Sequence, residues 1–208
     1  MPSPRVDRPD RRSFLRHATV GGAVTIGTAL VPSTRFLPAA AAQGGSDEDL
    51  AAFGESMELV AVAAYERGIE LLSEDLAPVL QTFRGHHQEH AEAFAELAGS
   101  AATGEANAAL LGALTPAIDA LSTQNEVLRF ARDLENQLAV TCGHLLRTVE
   151  SGNHVSTIGS ILPTEASHAA ELSYELQEGP DGWFPAGPVE SADITSGFDP
   201  AVFPVGGP

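Results

Sequence analysis

Four stretches of the chain carry apolar residues at alternating steps of three and four, the spacing that lays one stripe along an α-helix. The first runs from about Ser46 to Leu72 and opens on Asp47, Glu48 and Asp49, acids suited to a helix N-terminus. The second runs from about Leu76 to Leu97, with Pro78 in its first turn. Residues 99–112 are rich in Ala and Gly, and Thr115-Pro116 reads as a cap followed by the first helical residue. The third stretch occupies about Gln124 to Glu150, alone or continuous with the turn opening at Pro116, and Ser151-Gly152-Asn153 breaks it. The fourth runs from about Val155 to Gln177, where Pro163 predicts a kink or a later start.

The connections after the first and third helices are short, and the middle one is about twenty residues long. That order predicts an all-α, antiparallel four-helix bundle with one long crossover between helices 2 and 3. From Gly179 the last thirty residues hold six prolines and six glycines, which excludes a helix. Trp183, Phe184, Phe198 and Phe203 are too apolar for a free tail, so it is expected to pack on the bundle or on a second copy in a homodimer. Three regions follow: residues 1–42, the bundle over 43–178, and the extended tail over 179–208.

The first region reads as a targeting segment. Asp10-Arg11-Arg12-Ser13-Phe14-Leu15-Arg16 precedes an apolar stretch from Ala18 to Val31, and small residues follow at Ala39-Ala40-Ala41-Ala42. Basic region, apolar region and small-residue site are the parts of a cleavable signal. Paired arginines before Ser-Phe-Leu resemble the twin-arginine export motif, which implies passage of an already folded protein to the periplasm or beyond. The apolar run is short for a spanning helix, which needs about 20 residues, so cleavage is preferred to a retained N-terminal anchor. The mature chain is expected to begin near Gln43, with no membrane as its partner.

Removing that region sharpens the charge. The whole chain carries −17, yet residues 1–42 hold six arginines and only two aspartates. What remains is strongly acidic and contains no lysine, which argues against nucleic acid or an anionic membrane as a partner. The single cysteine, Cys142, excludes an internal disulfide and any cysteine-rich zinc framework.

The chemistry lies on the inward stripes. On the first helix the stripe reads Ala51, Gly54, Glu58, Ala61, Tyr65, Gly68, Leu72; on the second, Leu76, Val79, Phe83, His87, His90, Phe94, Leu97. On the third it reads Leu128, Ala131, Glu135, Leu138, Cys142, Leu145; on the fourth, Ile158, Ile161, Glu165, His168, Leu172. Each helix brings an ionisable group to the middle of its buried face. Burying unpaired carboxylates together costs several kcal/mol, and a divalent cation is the simplest agent that makes the cluster favourable. The spacing repeats: Glu58 precedes His87 and His90 by 29 and 32 residues, and Glu135 precedes Glu165 and His168 by 30 and 33. Two such halves place the groups around a pseudo-two-fold axis.

At these residues the chain resembles the ferritin-like di-metal carboxylate superfamily, in which each half supplies a glutamate on one helix and a Glu-x-x-His on the next. Glu58 and Glu135 match the terminal carboxylates, and Glu165 with His168 forms an intact Glu-x-x-His. The segments Glu-Leu-Val-Ala-Val-Ala-Ala-Tyr-Glu (58–66) and Leu-Pro-Thr-Glu-Ala-Ser-His-Ala-Ala (162–170) are similar to secreted bacterial ferritin-like domain proteins. The resemblance covers about residues 46–177 and implies metal ligands at Glu58, His87, His90, Glu135, Glu165 and His168. Tyr65, Cys142 and His86 would stand behind them.

The departure is His87, which replaces the first bridging glutamate. A neutral imidazole binds one metal through one nitrogen, so the set suits an asymmetric dinuclear site or a single ion. Histidine-rich donors favour zinc, iron or copper over magnesium or calcium, and with the carboxylates beside them the expected cofactor is one or two ions of iron, manganese or zinc.

Other residues read as background. His86 is either a donor behind the ligands or, preferably, a solvated side chain. Glu55 reads as a helix-surface acid, Glu66, Glu89 and Glu92 as solvent-facing, and Cys142 as a small buried hydrophobe. His144 and His154 lack a metal-like partner spacing.

The expected function is an exported metal-binding protein in metal handling or oxidant protection; if an enzyme, it is of the di-metal oxidase or peroxidase kind. The alternative is a non-enzymatic bundle with an empty or zinc-filled centre, acting in envelope interaction or stress tolerance. A storage cage is weaker, because the long tail would have to fit the subunit packing.

Overall fold

The computed structural model describes residues 45–179 and 197–206. The secondary structure there is helical: α1 Asp47–Ile69, α2 Ala77–Ala98, α3 Ala108–Asp119, α4 Gln124–Thr148 and α5 Gly152–Glu175, with one 3₁₀ turn at Gly99–Ala101. The twin-arginine segment, the small-residue run at 39–42, Trp183 and Phe184 lie outside the described residues. Among the described residues no helix is long and apolar enough to cross a membrane.

Local chemistry sets the helix starts. Ser46 and Asp49 form a capping box at α1, with Asp49 N donating to Ser46 Oγ at 3.2 Å and Ser46 N to Asp49 Oδ2 at 2.9 Å. Thr123 and Glu126 repeat the device at α4. Two expected boundaries are corrected. The short crossover helix α3 begins at Ala108, where Asn107 Oδ1 accepts from Leu110 N at 3.0 Å, and Pro116 lies inside it. Thr115 is no cap; its hydroxyl donates back to Leu111 O at 2.7 Å. Burial of Leu110, Leu114 and Ile118 on one stripe offsets the backbone bond that Pro116 cannot make. Likewise α4 ends at Thr148, so the expected break holds, but Gly152 and Asn153 already form the first turn of α5, which runs continuously through Pro163.

The bundle is built from two helix pairs, α1 with α2 and α4 with α5. α1 and α4 run in opposite directions. Asp47 at the start of α1 accepts from Glu150 N at 3.1 Å and Ser151 N at 2.7 Å, just beyond the end of α4. At the opposite end a Cβ added to Gly68 would sit 2.9 Å from Val127 Cγ1. α2 therefore ends at one end of the bundle while α4 begins at the other. The crossover must travel that length, and the 12 residues of α3 provide about 18 Å of it. Its far end is tied by the exposed Arg67–Asp119 ion pair at 2.9 Å.

Glu55 is not a surface acid. It is 3% exposed, and its carboxylate accepts from Thr103 N at 2.9 Å and Gly104 N at 3.0 Å, tying the turn after α2 to α1. Its signal in the sequence is indistinguishable from that of a solvated glutamate. Glu55→Ala is expected to cost about 1–2 kcal/mol in urea unfolding, because the two amides lie near the surface and water replaces part of the loss.

Residues 197–206 pack on the bundle. Phe198 N donates to Thr141 Oγ1 at 2.8 Å, Asn107 Nδ2 donates to Phe203 O at 2.9 Å, and both phenyl rings join the main core.

Candidate metal centre

Helical spacing delivers the central side chains. Glu135, Leu138, Cys142 and Leu145 on α4, and Ile158, Ile161, Glu165, His168 and Leu172 on α5, are all buried as one stripe each. On α1 the buried set includes Glu58, Ala61 and Tyr65. The α2 stripe is rotated slightly from the expected one. Leu80, Phe83, His87, Ala91, Phe94 and Ala98 face inward, whereas Val79 and Leu97 are only half-buried and His90 sits at the margin.

Glu58, His87, Glu135 and Glu165 are 0% exposed. They converge in two overlapping groups, Glu58–His87–His90–Glu165 and His87–Glu135–Glu165–His168, each with donor atoms within 4.8 Å of one another. His87 Nδ1 lies 2.8 Å from Glu58 Oε2, and its Nε2 lies 3.0 Å from Glu135 Oε1. His168 Nδ1 is 3.3 Å from Glu135 Oε2. The Tyr65 hydroxyl donates to Glu135 Oε1, and its ring lies 5.2 Å from that of His87.

His86 is not a free solvated residue. Its Nδ1 lies 2.9 Å from His168 Nε2, and the two imidazole planes are parallel to within 8°. The other side of His168 is covered by Phe83, with ring centroids 4.0 Å apart. The His86 contact is not visible in a stripe, since His86 belongs to a neighbouring position on α2. Cys142 is fully buried but outside both groups; burial, then the charges of Glu58 and Glu165, push its thiol well up. That is an inert thiol. Glu66, Glu89 and Glu92 are exposed, and His144 and His154 lie outside both groups.

The side chains perturb one another strongly. Burial pushes the Glu165 carboxyl well up, reinforced by the nearby Glu58 charge. Burial pushes Glu58 and Glu135 the same way, but the histidines beside them outweigh it, so both are lowered. Burial opposes the charged forms of His87 and His90; the carboxylates prevail, raising His87 well above its usual range and His90 to about 9. Tyr65 is held neutral by burial and by Glu135.

Glu58 Oε1, both oxygens of Glu165 and His90 Nδ1 are buried without a hydrogen-bond partner. His90 Nδ1 does approach Glu165 Oε1 to 2.7 Å, but the angles are not those of a hydrogen bond. Leaving such atoms unpaired costs about 1–3 kcal/mol each. Lone pairs aimed at shared space are what a transition-metal ion satisfies, and this donor set of carboxylate and imidazole fits iron, manganese or zinc.

A bundle of two helix pairs with a long crossover, closed around carboxylate and histidine donors from all four long helices, defines the ferritin-like class. The chain belongs to that family: the ferritin-like domain matches residues 23–178. No curated protein and no solved structure matches the chain.

Proposed function

We propose that this protein binds divalent transition-metal ions at its centre through Glu58, His87, His90, Glu135, Glu165 and His168, and serves in metal handling or protection against oxidants. The observation that carries this is the convergence of buried carboxylate and imidazole donors, four of whose atoms on Glu58, His90 and Glu165 make no hydrogen bond. A bound ion of this kind supplies Lewis acidity and, for iron or manganese, one-electron redox chemistry. The chain's own residues orient the donors. Tyr65 holds Glu135, and His86 engages Nε2 of His168, which leaves Nδ1 turned toward the centre. The paired arginines and small-residue run support a role in the cell envelope, after export of the folded protein.

Elemental analysis of the purified full chain tests the reading. One or two equivalents of iron or manganese, lost in a His90→Ala/His168→Ala variant that keeps its helical circular dichroism, support it. Zinc in place of iron or manganese favours a structural centre. A protein that binds none of these metals even when supplied with them removes the proposal.

A second reading has its own support: His87 stands between Glu58 and Glu135 with a nitrogen toward each. As an imidazolium it would donate to both, offset one of their two negative charges and leave a metal-free polar core. The same metal analysis separates the two.

Where metal binds, His86→Ala is expected to weaken it about 10–100-fold, because partners of a ligating imidazole fix its ring and tautomer. Competition against a chelator would measure this. An unchanged affinity would reduce the His86–His168 contact to surface packing.

A further inference from the structure

Beside the polar centre lies a cavity of a different chemical kind. Residues of α1, α2 and α4 and of the turn before α4 enclose a space of about 10 Å³, which is room for one water-sized molecule. Its walls include Ala64, Tyr65 and Gly68 on α1 and Val127, Ala131 and Leu134 on α4. Tyr65 carries the only polar side chain lining it, and that hydroxyl already donates its proton to Glu135. Water is held in a protein interior by about two to four polar partners, which these walls do not supply. An uncharged apolar molecule loses no hydrogen bonds on entering, so the cavity favours it over water.

Position ties this space to the donor cluster. Ala131 stands one helical turn before Glu135, and Leu134 adjoins it. The Tyr65 side chain is a wall common to both regions, since it lines the cavity while its ring centroid lies 5.2 Å from that of His87. Toward the surface, Leu121 in the turn between α3 and α4 is half-buried, whereas the other lining residues are buried. Small residues keep the space open where α1 faces α4: Ala64, Gly68 and Ala131. Protein interiors are otherwise packed with few voids as large as a water molecule.

We propose that this cavity binds one small, uncharged, apolar gas molecule of the size of dioxygen and holds it against Tyr65, one turn of α4 from the donor cluster. The inference needs no ion in place, so it stands or falls apart from the metal-binding reading. Joined to that reading, it names the class of molecule that reaches the centre from the Leu121 side.

Methyl NMR of the full chain, with and without zinc, tests this under xenon pressure and then under dioxygen against a nitrogen control. The expected result is a saturable xenon shift of the Ala64, Val127, Ala131 and Leu134 methyls. Dioxygen should relax the same methyls more than those of Ala51 and Leu145, which are equally buried but line no part of the cavity. Ala131→Leu fills the space and should abolish both effects at Ala64 and Val127 while a cooperative thermal transition is kept; Ala131→Val replaces it should overpacking prevent folding. Shifts that do not saturate, that fall equally on Ala51 and Leu145, or that persist in the filled variant overturn the inference. So does xenon binding without dioxygen relaxation at the same methyls. None of these outcomes alters the metal analysis.

Discussion

Glu135→Ala is expected to remove about 3–5 kcal/mol from the metal-free protein, the scale set by stripping one partner from a buried charged pair. Glu135 is fully buried and is the shared partner of three side chains: it accepts from Tyr65 and faces His87 and His168. Without it, a phenol and two imidazoles lose their partner in a space that water does not reach, and the charge that favours protonated His87 disappears. A domain of this kind has about 5–15 kcal/mol of total stability, so the variant would lie close to unfolding. Glu135→Gln keeps the volume and one acceptor oxygen and should lose less. Urea unfolding followed by circular dichroism measures both. A loss below about 1 kcal/mol for the alanine variant would mean that this hydrogen-bond cluster holds nothing together.

The second large effect lies far from the centre. Phe198→Ala combined with Phe203→Ala is expected to cost about 4–8 kcal/mol, less than twice a single Phe→Ala because neighbouring losses do not add. Both rings are buried, at 2% and 6% exposure, and meet edge to face with centroids 6.2 Å apart. They close the core beside the N-terminus of α3, where Asn107 caps the helix and donates to Phe203 O. Thermal unfolding tests the expectation. A double variant as stable as the parent would make residues 197–206 a decoration rather than part of the core.

Legibility in the sequence differed sharply among the elements. Every residue of the expected α4 and α5 stripes is buried, because a buried face repeats every three to four positions, although Val127, Phe130, Leu134 and Thr141 on α4 and His154, Ala169 and Ser173 on α5 are buried beside them. α1 buries much more than a stripe, including Ala52, Phe53, Ser56 and Met57, since α2, the crossover and the opposite pair surround it. Gly54 shows what a stripe conceals. A Cβ there would lie 2.4 Å from the Phe94 ring, so glycine at that site is set by how closely α2 approaches. Pro116 misled for the converse reason: local rules place proline at a helix start, whereas α3, with Leu110, Leu114 and Ile118 buried, already runs for eight residues before it.

The periodic patterning and the paired spacing of Glu58, His87, His90, Glu135, Glu165 and His168 were enough to determine a helical bundle and the composition of its polar centre. Both depend on intervals along one chain, and a helix converts intervals into faces. Only the tertiary structure decided which partner each group meets. Glu55 turned inward to a loop, His86 joined His168, and His87 came to rest between two carboxylates. Those pairings depend on how far one helix is rotated and shifted against another, and that is settled by side-chain packing across the whole core rather than by the order of residues within any segment.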